Sequence, residues 1–130
     1  MCILRINLKE STMLILGIES SCDETGLALY SEDEGLIAHM VNSQVELFTE
    51  YGGVIPEIAA RDHSVKIINI LKTLLKKADK NLHDINLVAY TAGPGLIGSL
   101  MVGETVAKTI SNILDIELLP INHLEGHILA

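Results

Sequence analysis

Short aliphatic runs alternate with turn-forming residues in the first part of the chain. Residues 14–19 have the sequence LILGIE, residues 26–30 have GLALY and residues 36–44 have LIAHMVNSQ, each a typical strand length. The segments between them, SSCDET and SEDEG, are rich in residues that favour turns. This pattern predicts three strands that run antiparallel to one another.

The hydrophobic spacing changes after YGGVIPE at residues 51–57. Apolar residues then recur at intervals of three and four, which predicts a long amphipathic helix with these residues in the core: Ile58, Val65, Ile68, Leu71, Leu75 and Ala78. The rest of the chain predicts a buried strand at NLVAYTA and a helix after GPG, in which Gly98, Gly103 and Ala107 permit close packing. A fifth strand at IELLPI and a third helix from NHLEGHILA complete the pattern.

The element order β-β-β-α-β-α-β-α predicts an α/β domain with a mixed five-stranded sheet. This is the order of a ribonuclease-H-like domain, which is also one lobe of the actin, sugar-kinase and Hsp70 group. We expect residues 13–130 to form this lobe, ending within its last helix and without a second lobe. Residues 1–12 are expected to be an N-terminal extension ahead of Met13.

The composition indicates which kinds of partner and which cell compartment suit this chain. Seventeen acidic against nine basic residues give a formal charge of −8, which repels phosphate backbones. With one Phe, three Tyr and no Trp, stacking surfaces for unpaired bases are scarce. Cys2 and Cys22 form no disulfide framework, which suits the cytoplasm, and no apolar run is long enough to span a bilayer.

Two histidines four residues apart, His123 and His127, are candidate metal ligands. On a helix capped by Asn122 they lie about 40° apart and can share an ion, whereas Glu125 points to the opposite side. This geometry disfavours a metalloprotease, although an extended segment would bring Glu125 to the same face. Two ligands are fewer than a zinc site normally has, and a solvated helix face is the alternative.

Three other features are candidates for chemistry. Glu19, Asp23 and Glu24 crowd the turn after the first strand and could hold Mg²⁺, or simply be solvated. AGPGLIG lies between a strand and a helix, where it could cradle a phosphate or form a tight turn. His63 begins the long helix, where a histidine more often lies on the surface than in a site.

Four segments occur together in this order: LGIESSCDETG, YGGVIPEIAARDH, AYTAGPGLIGSLMVG and PINHLEGHILA. In combination they closely resemble the N-terminal half of the bacterial TsaD family, once called O-sialoglycoprotein endopeptidases and now understood as tRNA threonylcarbamoyladenosine transferases. The resemblance extends over nearly all of residues 13–130. It implies a two-lobed enzyme that transfers a threonylcarbamoyl group from its adenylate to the amine of an adenosine beside the anticodon.

The resemblance also implies site residues and cofactors. His123 and His127 match histidines that bind one metal ion, iron or zinc, with an aspartate from the second lobe, beyond Ala130, as a further ligand. The metal would act as a Lewis acid. Asp23 and Glu24 resemble the acidic turn of the cleft, and we assign them to positioning or proton handling.

Partners implied by the resemblance are tRNA, threonylcarbamoyl-adenylate, a TsaB-like paralogue and a TsaE-like ATPase. We expect the chain alone to be inactive and its exposed lobe face to favour self-association. The alternatives are a non-catalytic paralogue that serves as a dimerisation scaffold, a ribonuclease-H-like nuclease and, less favoured, a metalloprotease. The paired histidines favour the catalytic member, because the paralogue lacks them.

Overall fold

The computed structural model describes residues 12–130, so the predicted extension at residues 1–12 lies outside it except for Thr12. The strands and α-helices are β1 (Leu14–Glu19), β2 (Glu24–Ser31), β3 (Gly35–Ser43), α1 (Val45–Phe48), α2 (Pro56–Lys77), β4 (Leu87–Gly93), α3 (Ile97–Leu114), β5 (Glu117–Asn122) and α4 (His123–Leu129). Short 3-10 turns follow α1 and precede β4. The hydrophobic pattern of the sequence predicts every strand and the helices α2, α3 and α4, but it does not predict α1 or these two turns.

The five strands form one mixed sheet in the order β3-β2-β1-β4-β5. β1, β2 and β3 are antiparallel neighbours, whereas β1, β4 and β5 run parallel. Helical crossovers are what parallel neighbours require, and α2 and α3 supply them. The predicted fold class, a mixed five-stranded α/β lobe, is confirmed.

Buried and less buried residues alternate along the strands, so one face of the sheet lies in the core. Leu14, Leu16 and Ile18 of β1 are buried, whereas Ile15, Gly17 and Glu19 between them are only half-buried. The buried face is covered by α2 and α3, which also contact each other. No helix in residues 12–130 has the length and apolar character to cross a membrane.

The predicted core face of α2 is partly wrong. Leu71 is buried and Leu75 and Ala78 pack against the core, whereas Val65 and Ile68 are exposed. The buried stripe is instead offset around the helix: Ala59, His63, Ile67, Ile70, Leu71 and Leu74. The spacing was ambiguous because α2 carries apolar residues on two faces, and Ile68 lies with Met101 of α3 in a surface groove between the two helices.

Small residues of α3 allow the close packing that the sequence predicts. A Cβ atom on Gly98 would lie 3.1 Å from the Cβ atom of Ala60, so α2 and α3 nearly touch there. At Gly103 the close neighbour is Ser20, which follows β1. The Ser20 hydroxyl donates to the Ser99 carbonyl at 2.8 Å and accepts from the Gly103 N–H at 3.2 Å. It therefore joins the end of β1 directly to the backbone of α3.

We expect Gly103→Ala to lower the free energy of unfolding. The added methyl would overlap Ser20 Oγ and crowd Ile18. Overpacking of this kind costs about 1–3 kcal/mol, of which the better helix propensity of alanine offsets roughly 1 kcal/mol. Urea denaturation should show a lower midpoint at unchanged slope.

Gly53→Ala is the control, because nothing lies within 4 Å of the added methyl and its backbone is not in the left-handed region. It should leave the midpoint nearly unchanged. An equal stability for the two variants would contradict the packing described at Gly103.

Candidate functional site

The candidate residues meet at one edge of the sheet because β1, β4 and β5 are parallel. Their carboxyl ends lie side by side, at Glu19, Gly93 and Asn122. In open α/β sheets this edge is the usual place for ligands. The hairpin from β1 to β2 returns at the same edge and brings the segment Ser21–Glu24 there. Residues separated by about a hundred positions in sequence thus become neighbours.

Glu19 is the centre of the contacts at this edge. Its carboxylate accepts hydrogen bonds from the Ser21 N–H and the Thr91 hydroxyl, and Oε2 lies 3.2 Å from Nδ1 of His123. Burial raises the pKa of Glu19, but the hydrogen bonds from Ser21, Thr91 and His123 outweigh it and hold the pKa below its ordinary value. Glu19 is therefore a carboxylate at neutral pH and accepts from every one of these partners.

His123 and His127 project from the first turns of α4 into the same cleft. Asn122 caps this helix as predicted, with its side-chain oxygen accepting from the N–H groups of Leu124 and Glu125. The two Nε2 atoms are 3.1 Å apart and the ring planes are nearly perpendicular, at 87°. Because Glu19 can only accept, the Nδ1 atom of His123 carries the hydrogen and lies near both Glu19 and the Ser21 hydroxyl, while its Nε2 atom faces Nε2 of His127.

This arrangement suits a shared metal ion. Zn–N bonds of about 2.0–2.1 Å at a tetrahedral angle place two ligand nitrogens roughly 3.3 Å apart, close to the separation here. A carboxylate on the other ring nitrogen is the usual partner of a ligating histidine. Within residues 12–130 no three His, Cys, Asp or Glu side chains converge enough to hold an ion, so the two histidines alone are fewer ligands than a zinc site normally has.

The four residues predicted for the site, Asp23, Glu24, His123 and His127, all line one cleft of about 470 Å³. Asp23 is half-buried and Glu24 is exposed. Glu125 is exposed and lies outside this lining, as its angular position on the helix predicts. A zinc-protease arrangement, in which the glutamate leans over the metal, is therefore absent from α4.

Two interpretations of the sequence change with the structure. Glu19 does not form a three-carboxylate cluster with Asp23 and Glu24, because its oxygens are directed to Ser21, Thr91 and His123. The AGPGLIG segment is a packing turn. A Cβ atom on Gly95 would lie 2.6 Å from the Ser21 carbonyl oxygen, and the Leu96 N–H donates to that same oxygen at 2.7 Å.

His63 is the residue whose role the sequence analysis missed. Its interpretation as a surface histidine is wrong, since the side chain is 0 % exposed. Nδ1 lies 2.6 Å from the Thr25 hydroxyl and Nε2 lies 2.9 Å from the Cys22 carbonyl oxygen. The spacing of His63 from Ala59, Ile67, Ile70 and Leu74 is the signal that would have placed it on the buried face of α2.

Comparison with solved structures reveals the same architecture in other proteins. YeaZ from Pseudomonas aeruginosa superposes with a TM-score of 0.63 at 17% identity over 85% of this chain and 43% of its own. A second structure, described as an uncharacterised protein from P. aeruginosa with similarity to peptidase YeaZ, gives 0.62 at 19% identity with the same shares. These likenesses show the fold, and the chain spans less than half the length of either protein.

The family comparison covers most of the chain. Residues 35–130 match the TsaD family, described as tRNA N6-adenosine threonylcarbamoyltransferase. The matched range includes both histidines of α4, whereas the turn with Asp23 and Glu24 precedes it. The chain therefore belongs to the TsaD family.

Proposed function

We propose that this chain is the metal-bearing lobe of a cytoplasmic enzyme that transfers a threonylcarbamoyl group from its adenylate to the exocyclic amine of an adenosine beside the anticodon of tRNA. Family membership supports the tRNA-modifying class. The observation that carries the proposal is the pair of Nε2 atoms 3.1 Å apart, with Glu19 on the back of one ring. Both rings face a cleft that also contains two further carboxylates.

In the proposed mechanism His123 and His127 hold one iron or zinc ion, and an aspartate outside this chain is a further ligand. When bound, the metal supplies a Lewis acid that polarises the carbonyl of the transferred group. Glu19 fixes the tautomer and orientation of His123, which leaves the Nε2 lone pair directed into the cleft. Thr91 and Ser21 hold the Glu19 carboxylate in turn.

Asp23 and Glu24 are proposed to position the substrate and to handle a proton. In the transfer, the adenosine nitrogen forms a bond to the carbonyl carbon, the bond from that carbon to the phosphate oxygen of the adenylate breaks, and AMP leaves. The amine loses a proton in this step, and a carboxylate lining the cleft can accept that proton. Their negative charge also opposes the approach of the tRNA backbone, as does the net charge of −8. The attraction for tRNA must therefore come from surfaces outside this chain, in the second lobe or in partner proteins.

Metal binding tests the first half of the proposal. In a longer chain that includes the second lobe, we expect one ion per protein. His123→Ala and His127→Ala should each abolish stoichiometric binding. Glu19→Gln should weaken it by about 10- to 100-fold, the usual cost of removing the partner of a ligating histidine. Elemental analysis and competition with a chelator measure these values.

His83→Ala is the matched control, because His83 is exposed and precedes β4, at the opposite edge of the sheet. It should retain the full metal content. Retention of one ion per protein in both α4 variants would exclude the proposed ligands.

Transfer activity tests the second half. We expect no modification of tRNA when residues 1–130 are incubated with threonylcarbamoyl-adenylate, because the described residues bring only two ligands together and the cleft is open. The longer chain should modify tRNA, and its Asp23→Asn and Glu24→Gln variants should have a lower kcat with the metal content unchanged. Mass spectrometry of the tRNA nucleosides measures the product. Modification by residues 1–130 alone would contradict this division of the site.

We further propose that a TsaB-like paralogue docks on the α2–α3 groove. The groove is lined mainly by apolar residues of both helices, together with Ser64 and Thr105, and Ile68 and Met101 are 44 % and 58 % exposed. The YeaZ fold contains equivalent elements, so two helix pairs of similar shape can pack against each other. Without a partner, the apolar side chains of Ile68 and Met101 would remain in contact with water, which is unfavourable.

Met101→Glu should weaken binding of the paralogue by at least about tenfold, since it places a charge in an apolar contact. Ile113→Glu is the control, because Ile113 is 68 % exposed on the same helix but lies outside the groove. Calorimetry with the purified paralogue compares the two. Equal affinities for the two variants would place the interface elsewhere.

A further inference from the structure

Three consecutive carbonyl groups in the turn after β1 are each held by a different part of the fold. The Ser21 oxygen accepts from the Leu96 N–H at 2.7 Å, and the Asp23 oxygen accepts from the Gln44 N–H at 2.9 Å. Between them, the Cys22 oxygen lies 2.9 Å from Nε2 of His63. Two of these donors are backbone N–H groups, which nearly any residue supplies. The middle donor depends on one side chain.

His63 contacts the chain on both sides of Asp23 and Glu24. Nε2 binds Cys22, immediately before this pair, and Nδ1 binds the hydroxyl of Thr25, immediately after it. His63 and Thr25 are both 0 % exposed, so water does not compete for the hydrogen bond between them, and the bond to Cys22 is partly buried. The two carboxylates therefore lie on a short segment whose ends are attached to one imidazole on α2.

The hydrogen-bond partners determine the tautomer of His63. A carbonyl oxygen only accepts, so Nε2 must carry the hydrogen. In the neutral ring Nδ1 then accepts from the Thr25 hydroxyl, and both nitrogens are satisfied without a buried charge. The other neutral tautomer would place two acceptors against each other at Cys22.

We propose that His63, in its neutral Nε2–H form, is a positioning residue that holds Asp23 and Glu24 at the cleft by fixing the backbone on both sides of them. The proposal rests on the proposed function for the role of these two carboxylates. It adds to the proposed site a buried residue of α2 that contacts neither substrate nor metal. The loss of His63 should alter the turn while leaving the histidines of α4 in place.

The thiol of Cys22 is a reporter of the turn that requires no enzymatic assay. It is exposed, and its pKa is raised first by partial burial and then by the neighbouring Asp23 charge. When the turn loosens, both causes weaken and the thiol should become more reactive. A Cys2→Ser background leaves Cys22 as the only thiol of the chain.

Four variants separate the two hydrogen bonds. His63→Leu removes both, and His63→Gln keeps an N–H donor for the Cys22 carbonyl. Thr25→Val removes the hydroxyl at similar shape, and Thr25→Ser keeps it. We expect alkylation of Cys22 by iodoacetamide to be about three- to tenfold faster in His63→Leu, because a looser turn exposes the thiol and weakens both causes that raise its pKa. His63→Gln and Thr25→Ser should remain near the wild-type rate.

Nitrogen NMR of the wild-type imidazole should identify Nε2 as protonated and Nδ1 as an acceptor. In the longer enzyme His63→Leu should lower kcat by about 10- to 100-fold, a typical cost of misplacing a catalytic group by about an ångström. His63→Gln should restore most of it, and both variants should bind a full complement of metal. Rescue by glutamine distinguishes positioning from a general loss of stability.

An Nδ1–H tautomer, or equal alkylation rates in folded His63→Leu and wild type, would overturn the proposal. If His63→Leu does not fold, the variants Thr25→Val and Thr25→Ser test the proposal instead. Faster alkylation of Cys22 in Thr25→Val but not in Thr25→Ser would support positioning by His63. Equal rates in the two variants would overturn it. These results do not depend on transferase activity. A wild-type enzyme that fails to modify tRNA would instead refute the proposed function and leave the alkylation result standing.

Discussion

The site depends on one carboxylate that connects three elements of the fold. Glu19 is the last residue of β1, Thr91 lies near the end of β4, and His123 begins α4 directly after β5. Thr91 and His123 both donate to the Glu19 carboxylate. These contacts exist because three parallel strands end together. The orientation of His123 therefore depends on the topology of the sheet. If β1 paired with β4 in another register, Glu19 would no longer face His123.

The ionisation of Glu19 follows from this constraint. A half-buried carboxyl group would ordinarily favour its neutral form, since burial penalises charge. Here the hydrogen bonds from Ser21, Thr91 and His123 outweigh that penalty and lower the pKa. A neutral Glu19 would carry its own acidic hydrogen, and this hydrogen would face groups that already donate hydrogens to the carboxyl oxygens. The charged form also stabilises the His123 tautomer that leaves Nε2 available.

Much of the fold was readable from the sequence, because strand runs and helical spacing are local signals. β1 at residues 14–19 and the Asn122 cap of α4 were predicted as they occur. The paired histidines were also readable, since their proximity depends on only one helical turn. The contact between Glu19 and His123 was not, because it joins residues 104 positions apart through strand pairing. His63 was missed because a polar residue on an amphipathic helix is normally assigned to the solvent side.

The helix α2 has a further consequence for communication across the lobe. Its 22 residues form a rod about 33 Å long. His63 is on its inner side, and Ile68, little more than one turn later, is on its outer side in the groove with Met101. The groove residue and the imidazole that contacts Cys22 and Thr25 therefore belong to the same helix, and a rigid-body displacement of α2 would carry both together.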